Sequence, residues 1–200
     1  MKRIITTIIA MGFTISLLQA QVSISTAPKD GAWVKIRVVQ TGKYLSVENA
    51  SKENGAKIVQ WDFSGNSNQK FQVKKNDDGT YSFFAAHSSK SICADKGDNR
   101  EGDIIIQNTL SQYFGKWHLA WMSNCGQGWK MQYKSSSGKP LQVTSVNNGA
   151  ACQLIEPQYH DGDTDCPYIY IFEPVDAPPA PKEIIKSYIK PKPGVIKKGN

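Results

Sequence analysis

The stretch Gly42-Lys43-Tyr44-Leu45-Ser46-Val47 returns later in the chain as Gly138-Lys139-Pro140-Leu141-Gln142-Val143, 96 residues further on. Working outward, Asn54-Gly55-Ala56 returns as Asn148-Gly149-Ala150, and Trp33, Tyr81 and Trp129 stand 48 residues apart. An aromatic recurs towards the end of each unit, at Phe71, Trp117 and Phe172. Self-similarity at a fixed period is the mark of repeat architecture. The repeats run over about residues 31–80, 81–128 and 129–175.

Each unit reads as short strands joined by polar turns. Val34–Val38 and Phe71–Val73 alternate apolar and polar residues, while Ile104–Ile106 and Tyr168–Phe172 are β-rich runs. Asn76-Asp77-Asp78-Gly79, Lys96-Gly97-Asp98-Asn99 and Asn147-Asn148-Gly149 carry turn chemistry between them. No amphipathic helix is legible between residues 31 and 175. The expectation is an all-β, three-lobed closed barrel, since no single unit could bury its apolar face alone. Trp33 and Trp129 read as structural, given the area a buried indole removes from water.

Gly42–Val47, followed by Asn54–Phe63 and Asn68-Gln69-Lys70-Phe71, resembles a repeat of the ricin B-type lectin family. That family's pattern is Gly-Lys-(Cys/Tyr)-Leu-Asp-Val, an Asn-Gly turn, a Val-Gln-x-Trp strand and a closing Gln-x-Trp. The resemblance covers about residues 31–175 and implies a β-trefoil with up to three shallow carbohydrate sites, one per lobe. A sugar needs an aromatic platform for its C–H face, with a carboxylate and amides for its hydroxyls.

Carried over residue by residue, the resemblance implies different remnants in each lobe. In the first, Trp61 is the platform with Asn68 and Gln69 beside it, but Ser46 replaces the Asp and Val59 the outward Gln. In the second, Cys93-Ala94-Asp95 makes Asp95 the anchor, with Gln107 and Asn108 following Gly102 as Gln60 and Trp61 follow Gly55. Strict 48-residue spacing would put Ala94 at the anchor instead; the motif is followed here. Tyr113 and Phe114 are the aromatics nearest that lobe's closing motif. In the third, Gln142 and Gln153 hold the Asp and Gln positions, Ile155 replaces the platform, and Tyr159-His160 follow.

The chain ends add location. Lys2 and Arg3 precede an apolar run to Leu18, and Ala20 offers a small residue at a cleavage point, so residues 1–20 read as a signal peptide. The run is shorter than the ~20 residues a membrane span needs. A short leader covers residues 21–30, and the mature protein is expected to be secreted, extracellular or periplasmic. Cys93, Cys125, Cys152 and Cys166 make an even count that suggests two disulfides in an exported protein. Three connectivities stay open, with Cys152 and Cys166 close in sequence.

Of the net charge of +7, residues 21–175 carry about +1, the signal +2 and the tail +4. A nucleic-acid partner would demand a basic folded face, and the domain has none in its composition. The tail, 176–200, is Pro- and Lys-rich and reads as a flexible extension suited to an acidic surface. No metal, cofactor or catalytic residue is expected. Nucleophile-elbow, zinc-protease and phosphate-loop patterns are missing, and His87, His118 and His160 are scattered. Asp161–Asp165 begins like a calcium loop but has Cys166 and Phe172 where Gly and Glu belong. The reading is a non-enzymatic glycan-binding module; the alternative is a degenerate trefoil used for protein contact or spacing.

Overall fold

A computed structural model describes residues 26–109, 115–123, 127–134, 137–156 and 168–178. The signal peptide, the tail beyond Pro178, Tyr113, Phe114, Cys125, Tyr159, His160 and the Asp161–Cys166 segment lie outside the described residues.

The first strand shows why the units form sheet. In β1 (Trp33–Val38) Val34, Ile36 and Val38 are buried while the residues between them are half-exposed, which is the period of a strand with one face inward. Eleven more follow: β2 (Tyr44–Val47), β3 (Ile58–Trp61), β4 (Phe71–Lys75), β5 (Tyr81–Ala85), β6 (Ser91–Ala94), β7 (Ile105–Asn108), β8 (Trp117–Met122), β9 (Gly128–Tyr133), β10 (Leu141–Val143), β11 (Cys152–Leu154) and β12 (Ile169–Pro174). Two three-residue 3-10 turns, Glu48–Ala50 and Ser67–Gln69, are the helical elements among the described residues.

Six strands close a ring of antiparallel pairs, β1–β12–β9–β8–β5–β4 and back to β1. Closure leaves that barrel no unpaired edge. The other six form hairpins β2–β3, β6–β7 and β10–β11, one per lobe. The core runs through the ring and under the hairpins, with Phe71, Phe83, Trp117, Met131, Tyr133 and Tyr170 buried. Phe83 stacks on Phe172 at 5.2 Å and Trp117 meets Tyr133 edge-on at 5.6 Å. The fold is a β-trefoil.

Threefold symmetry is visible in matched backbone bonds. Val38, Ala85 and Tyr133 each donate their N–H to the carbonyl of a following lysine, Lys43, Lys90 and Lys139, at 2.8, 2.8 and 3.0 Å. The hairpins clasp one another in a cycle. Gly55, Gly102 and Gly149 donate to the carbonyls of Gln107, Leu154 and Gln60 at 3.0, 2.8 and 2.9 Å. The return bonds run from Gln107, Leu154 and Gln60 to Ala56, Asp103 and Ala150 at 2.8, 2.8 and 2.9 Å. All three glycines have φ between 82° and 85°, a region costly for residues with a Cβ. The glycine turn, Asn-Gly-Ala in the first and third lobes and Glu101-Gly102-Asp103 in the second, is therefore the part that joins each lobe to the next.

These contacts correct two sequence alignments. Val34, rather than Trp33, is the inward partner of Tyr81 and Trp129, since Val38 matches Ala85 and Tyr133; Trp33 faces outward and is half-buried. Tyr170, rather than Phe172, closes the third unit. Its hydroxyl donates to Leu141 O at 2.9 Å, as Trp117 Nε1 donates to Ile92 O at 3.1 Å. The first shift comes from one residue fewer between Val34 and Tyr81 than between Tyr81 and Trp129, and the second from a longer third unit, 41 residues from Trp129 to Tyr170 against 36 from Tyr81 to Trp117.

The disulfide expectation also changes. Cys93 and Cys152 are free, buried thiols. Burial, with Asp95 nearby, pushes Cys93 up to about 12, and full burial raises Cys152 further. Among the described residues, no helix is long and apolar enough to cross a membrane.

Candidate functional site

The first lobe builds a cleft. On its hairpin, Ser46 pairs with Val59 and Tyr44 with Trp61. The turn Ser67–Gln69 lies against that hairpin because Asn68 Nδ2 donates to Ser46 Oγ at 2.9 Å and to Val47 O at 3.0 Å. Gln69 is buried and fixes the segment beyond Trp61. Its Oε1 accepts from Ser64 N and Oγ at 2.8 and 3.0 Å, and its Nε2 donates to Asp62 O at 2.9 Å. Between hairpin and turn lies an open cleft of about 350 Å³, whose lining includes Glu48, Asn49, Trp61, Asn66, Asn68 and Gly149.

Trp61 is the aromatic of this cleft and keeps 47% of its surface exposed, which is unusual for so large an apolar group. Another lobe comes up against it. A Cβ on Gly149 would stand 3.4 Å from Trp61 Cζ3, so the third lobe's turn is in contact with the ring. Asn148 fastens the same junction, its Oδ1 accepting from Asp62 N at 3.1 Å and its Nδ2 donating to Asp62 Oδ2 at 2.8 Å. Lys43 completes the pair with Asp62 at 2.8 Å. The Asn148 bond, then the Lys43 bond, lower the Asp62 carboxyl below its ordinary range.

Polar groups rim the platform. Glu48 stands two residues beyond Ser46, with its N–H bonded to Lys57 O at 2.9 Å, so it continues the same side of the strand. Asn49 and Ala50 follow with φ of 53° and 50°. Asn68 Oδ1 is buried and accepts no hydrogen bond.

The other expected residues are not gathered here. Gln107 is fully buried: Nε2 donates to Ser51 O and Glu53 O, each at 2.8 Å, and Oε1 accepts from Ser88 Oγ at 2.7 Å. Gln60 does the same in the first lobe, donating to Ser145 O and Asn147 O at 2.7 and 3.1 Å and accepting from Thr41 Oγ1 at 2.7 Å. Leu154 takes that place in the third. These glutamines clamp one lobe to the turn of another.

Asp95 is exposed, but its register differs from both sequence readings. Cys93 pairs with Ile106 as Ser46 pairs with Val59, and Asp95 N bonds Ile104 O at 2.9 Å as Glu48 N bonds Lys57 O. Asp95 thus matches Glu48. Asn108, half-buried and paired with Ser91, takes the Trp61 position. Gln142 and Gln153 face each other across β10–β11, half-buried, with Ile155 where a platform would stand.

The sequence reading missed Glu48, Asn49, Asn66 and Gly149. Period two beyond Ser46 marks Glu48, but nothing local marks Gly149 as part of a cleft 88 residues away from Trp61. Among the described residues, no three His, Cys, Asp or Glu side chains are placed to hold a metal ion.

A closed six-strand ring and three clasped hairpins define a three-lobed trefoil, with a cleft between hairpin and covering turn in the first lobe. Residues 20–108 match the family described as ricin-type beta-trefoil lectin domain-like. That match takes in the motif at Gly42–Phe71, and the fold around it is a β-trefoil. No curated protein matches it in sequence.

Solved structures share the fold. A designed 3-fold symmetric protein, ThreeFoil, is 27% identical, with TM-score 0.62 over 72% of this chain and 99% of its own. A Macrolepiota procera ricin B-like lectin, solved in complex with lactose, is 12% identical, with TM-score 0.61 over 75% of this chain and 100% of its own. An exo-beta-1,3-galactanase from Clostridium thermocellum is 22% identical, with TM-score 0.63 over 74% of this chain but 31% of its own length.

Proposed function

We propose that this protein is a secreted, non-catalytic module that binds carbohydrate, and that its working site is the first-lobe cleft. One observation carries the reading: a half-exposed indole, Trp61, lies against the Gly149 turn of the third lobe and is bordered by Glu48, Asn66 and Asn68 in one open cleft. The C–H face of a pyranose packs on the indole, while amides and a carboxylate take its hydroxyls. Structural relatives bound to lactose and to GalNAc support the class of ligand.

Asp95 with Asn108 in the second lobe, and Gln142 with Gln153 in the third, offer polar groups without a described platform. They serve as secondary contacts in a multivalent encounter. Gln107 and Gln69 act by holding backbone. The signal-peptide reading of residues 1–20 supports export, and the basic tail supports attachment to an acidic surface.

A glycan array probed with the protein at high valency tests this, repeated with Trp61→Ala and Asp95→Ala. The expected result is binding that Trp61→Ala abolishes and Asp95→Ala weakens. An array blank across all sugars, or binding indifferent to Trp61→Ala, would favour the trefoil as a protein-contact or spacer module.

A further inference from the structure

We infer that Glu48 is the specificity-determining anchor of the first-lobe cleft, making it rank sugars by charge: amino sugar first, neutral sugar second, uronic acid last. The inference rests on the reading of this cleft as a sugar site. It starts from a loss. At the position where the family pattern has a carboxylate, this chain has Ser46, which is 4% exposed and whose Oγ accepts from Asn68 Nδ2. That hydroxyl is covered and engaged.

A carboxylate nonetheless lines the cleft. Glu48 opens the turn that follows β2, two residues beyond Ser46, and lines the same cleft. Its N–H is fixed to Lys57 O, and its carboxylate enters no ion pair among the described residues. The backbone leaves Glu48 through two consecutive left-handed residues, Asn49 and Ala50, neither of them glycine. Residues with a Cβ reach that region only where the surroundings impose it, and such strain gathers at working sites. The matched positions after Asp95 are Lys96 and Gly97, of which Gly97 alone has positive φ; those after Thr144, Ser145 and Val146, have none. The double left-handed turn belongs to the first lobe.

The cleft also has a chemical bias. Its charged lining residue is Glu48, and no lysine, arginine or histidine lines it. The Glu48 carboxylate oxygens are acceptors, so a ligand that meets them must bring donors. Hydroxyls satisfy these acceptors, an ammonium satisfies them and pairs with Glu48, and a sugar carboxylate brings like charge with no cation to meet it. For a partly exposed pair the effect is about two- to fivefold per step in affinity, and salt screens it.

The test uses the full secreted chain and matched triads of galactosamine, galactose and galacturonic acid, with the gluco and manno equivalents. Affinities are read by ligand-observed NMR at pH 6 and low salt. The expected result is the stated order in whichever series binds. Glu48→Gln should collapse the order, and Glu48→Asp should keep it. Binding that Trp61→Ala abolishes, but whose order is absent or unchanged by Glu48→Gln, overturns the inference and leaves the sugar site standing. Failure of every series to bind, or binding unaffected by Trp61→Ala, overturns the sugar site itself. Circular dichroism confirms that each variant is folded.

Discussion

Replacing Gln107 by leucine puts the clamp argument to a direct measurement. The third lobe already carries leucine at the matched position, Leu154, so the volume is tolerated by the fold. In the second lobe the change removes two bonds from Nε2 at 2.8 Å and one to Oε1 at 2.7 Å. Ser51 O keeps a partner in His87 Nε2 at 2.8 Å, whose ring burial holds neutral by lowering its pKa. Ser88 Oγ still accepts from Lys90 N at 3.3 Å but has lost its own acceptor, and Glu53 O loses the Gln107 amide. At about 1 kcal/mol net for each lost bond, the variant should be destabilised by about 2–3 kcal/mol. For a domain of this size that is a drop of about 5–10 °C in Tm. Differential scanning calorimetry with urea titration reads both quantities, and glycan binding per folded molecule should be unchanged. A loss under about 0.5 kcal/mol, or a sugar affinity that falls while stability holds, would refute the clamp and return Gln107 to the list of ligand contacts.

Other outcomes follow from the same geometry. Gly149→Ala forces a Cβ into a backbone with φ of 83° and against Trp61, so it should cost about 1 kcal/mol or more and weaken sugar capture as well; unaltered binding would mean that Trp61 does not depend on this buttress. Asp78 is lowered to about 2 by its Lys116 bond and then by Thr80, so its contribution to stability is present above about pH 4 and lost as pH falls through about 2. Asp78→Asn should flatten that acid slope while costing no more than about 1 kcal/mol at neutral pH, because the pair is exposed. Cys93, at about 12, and Cys152, higher still, should resist iodoacetamide in the native protein at pH 8 and react after unfolding, as read by peptide mass mapping.

The fold was legible because its determinants are local and thrice repeated. Alternating residues in Val34–Val38 and the Asn-Gly-Ala turns say what each unit is, and the period says how many units there are. Phase was harder. A single added residue between units moves the inward position from Trp33 to Val34, and the eye prefers the indole to the valine. Gln107 and Trp61 lie in matching strands, yet one amide is spent on carbonyls of the preceding lobe and one ring is open to solvent. Sequence spacing carries the strand register within a lobe. It does not carry which groups are already satisfied across a lobe boundary, and that decides what remains for a ligand.

Because Asn148 and Gly149 of the last repeat brace Trp61 of the first, the cleft is assembled from opposite ends of the domain. A nascent chain that has released only its first two repeats holds an indole without its backing. Under the proposed function, ligand capture would report completion: a molecule clipped or stalled before its third repeat would lack the backing of the cleft.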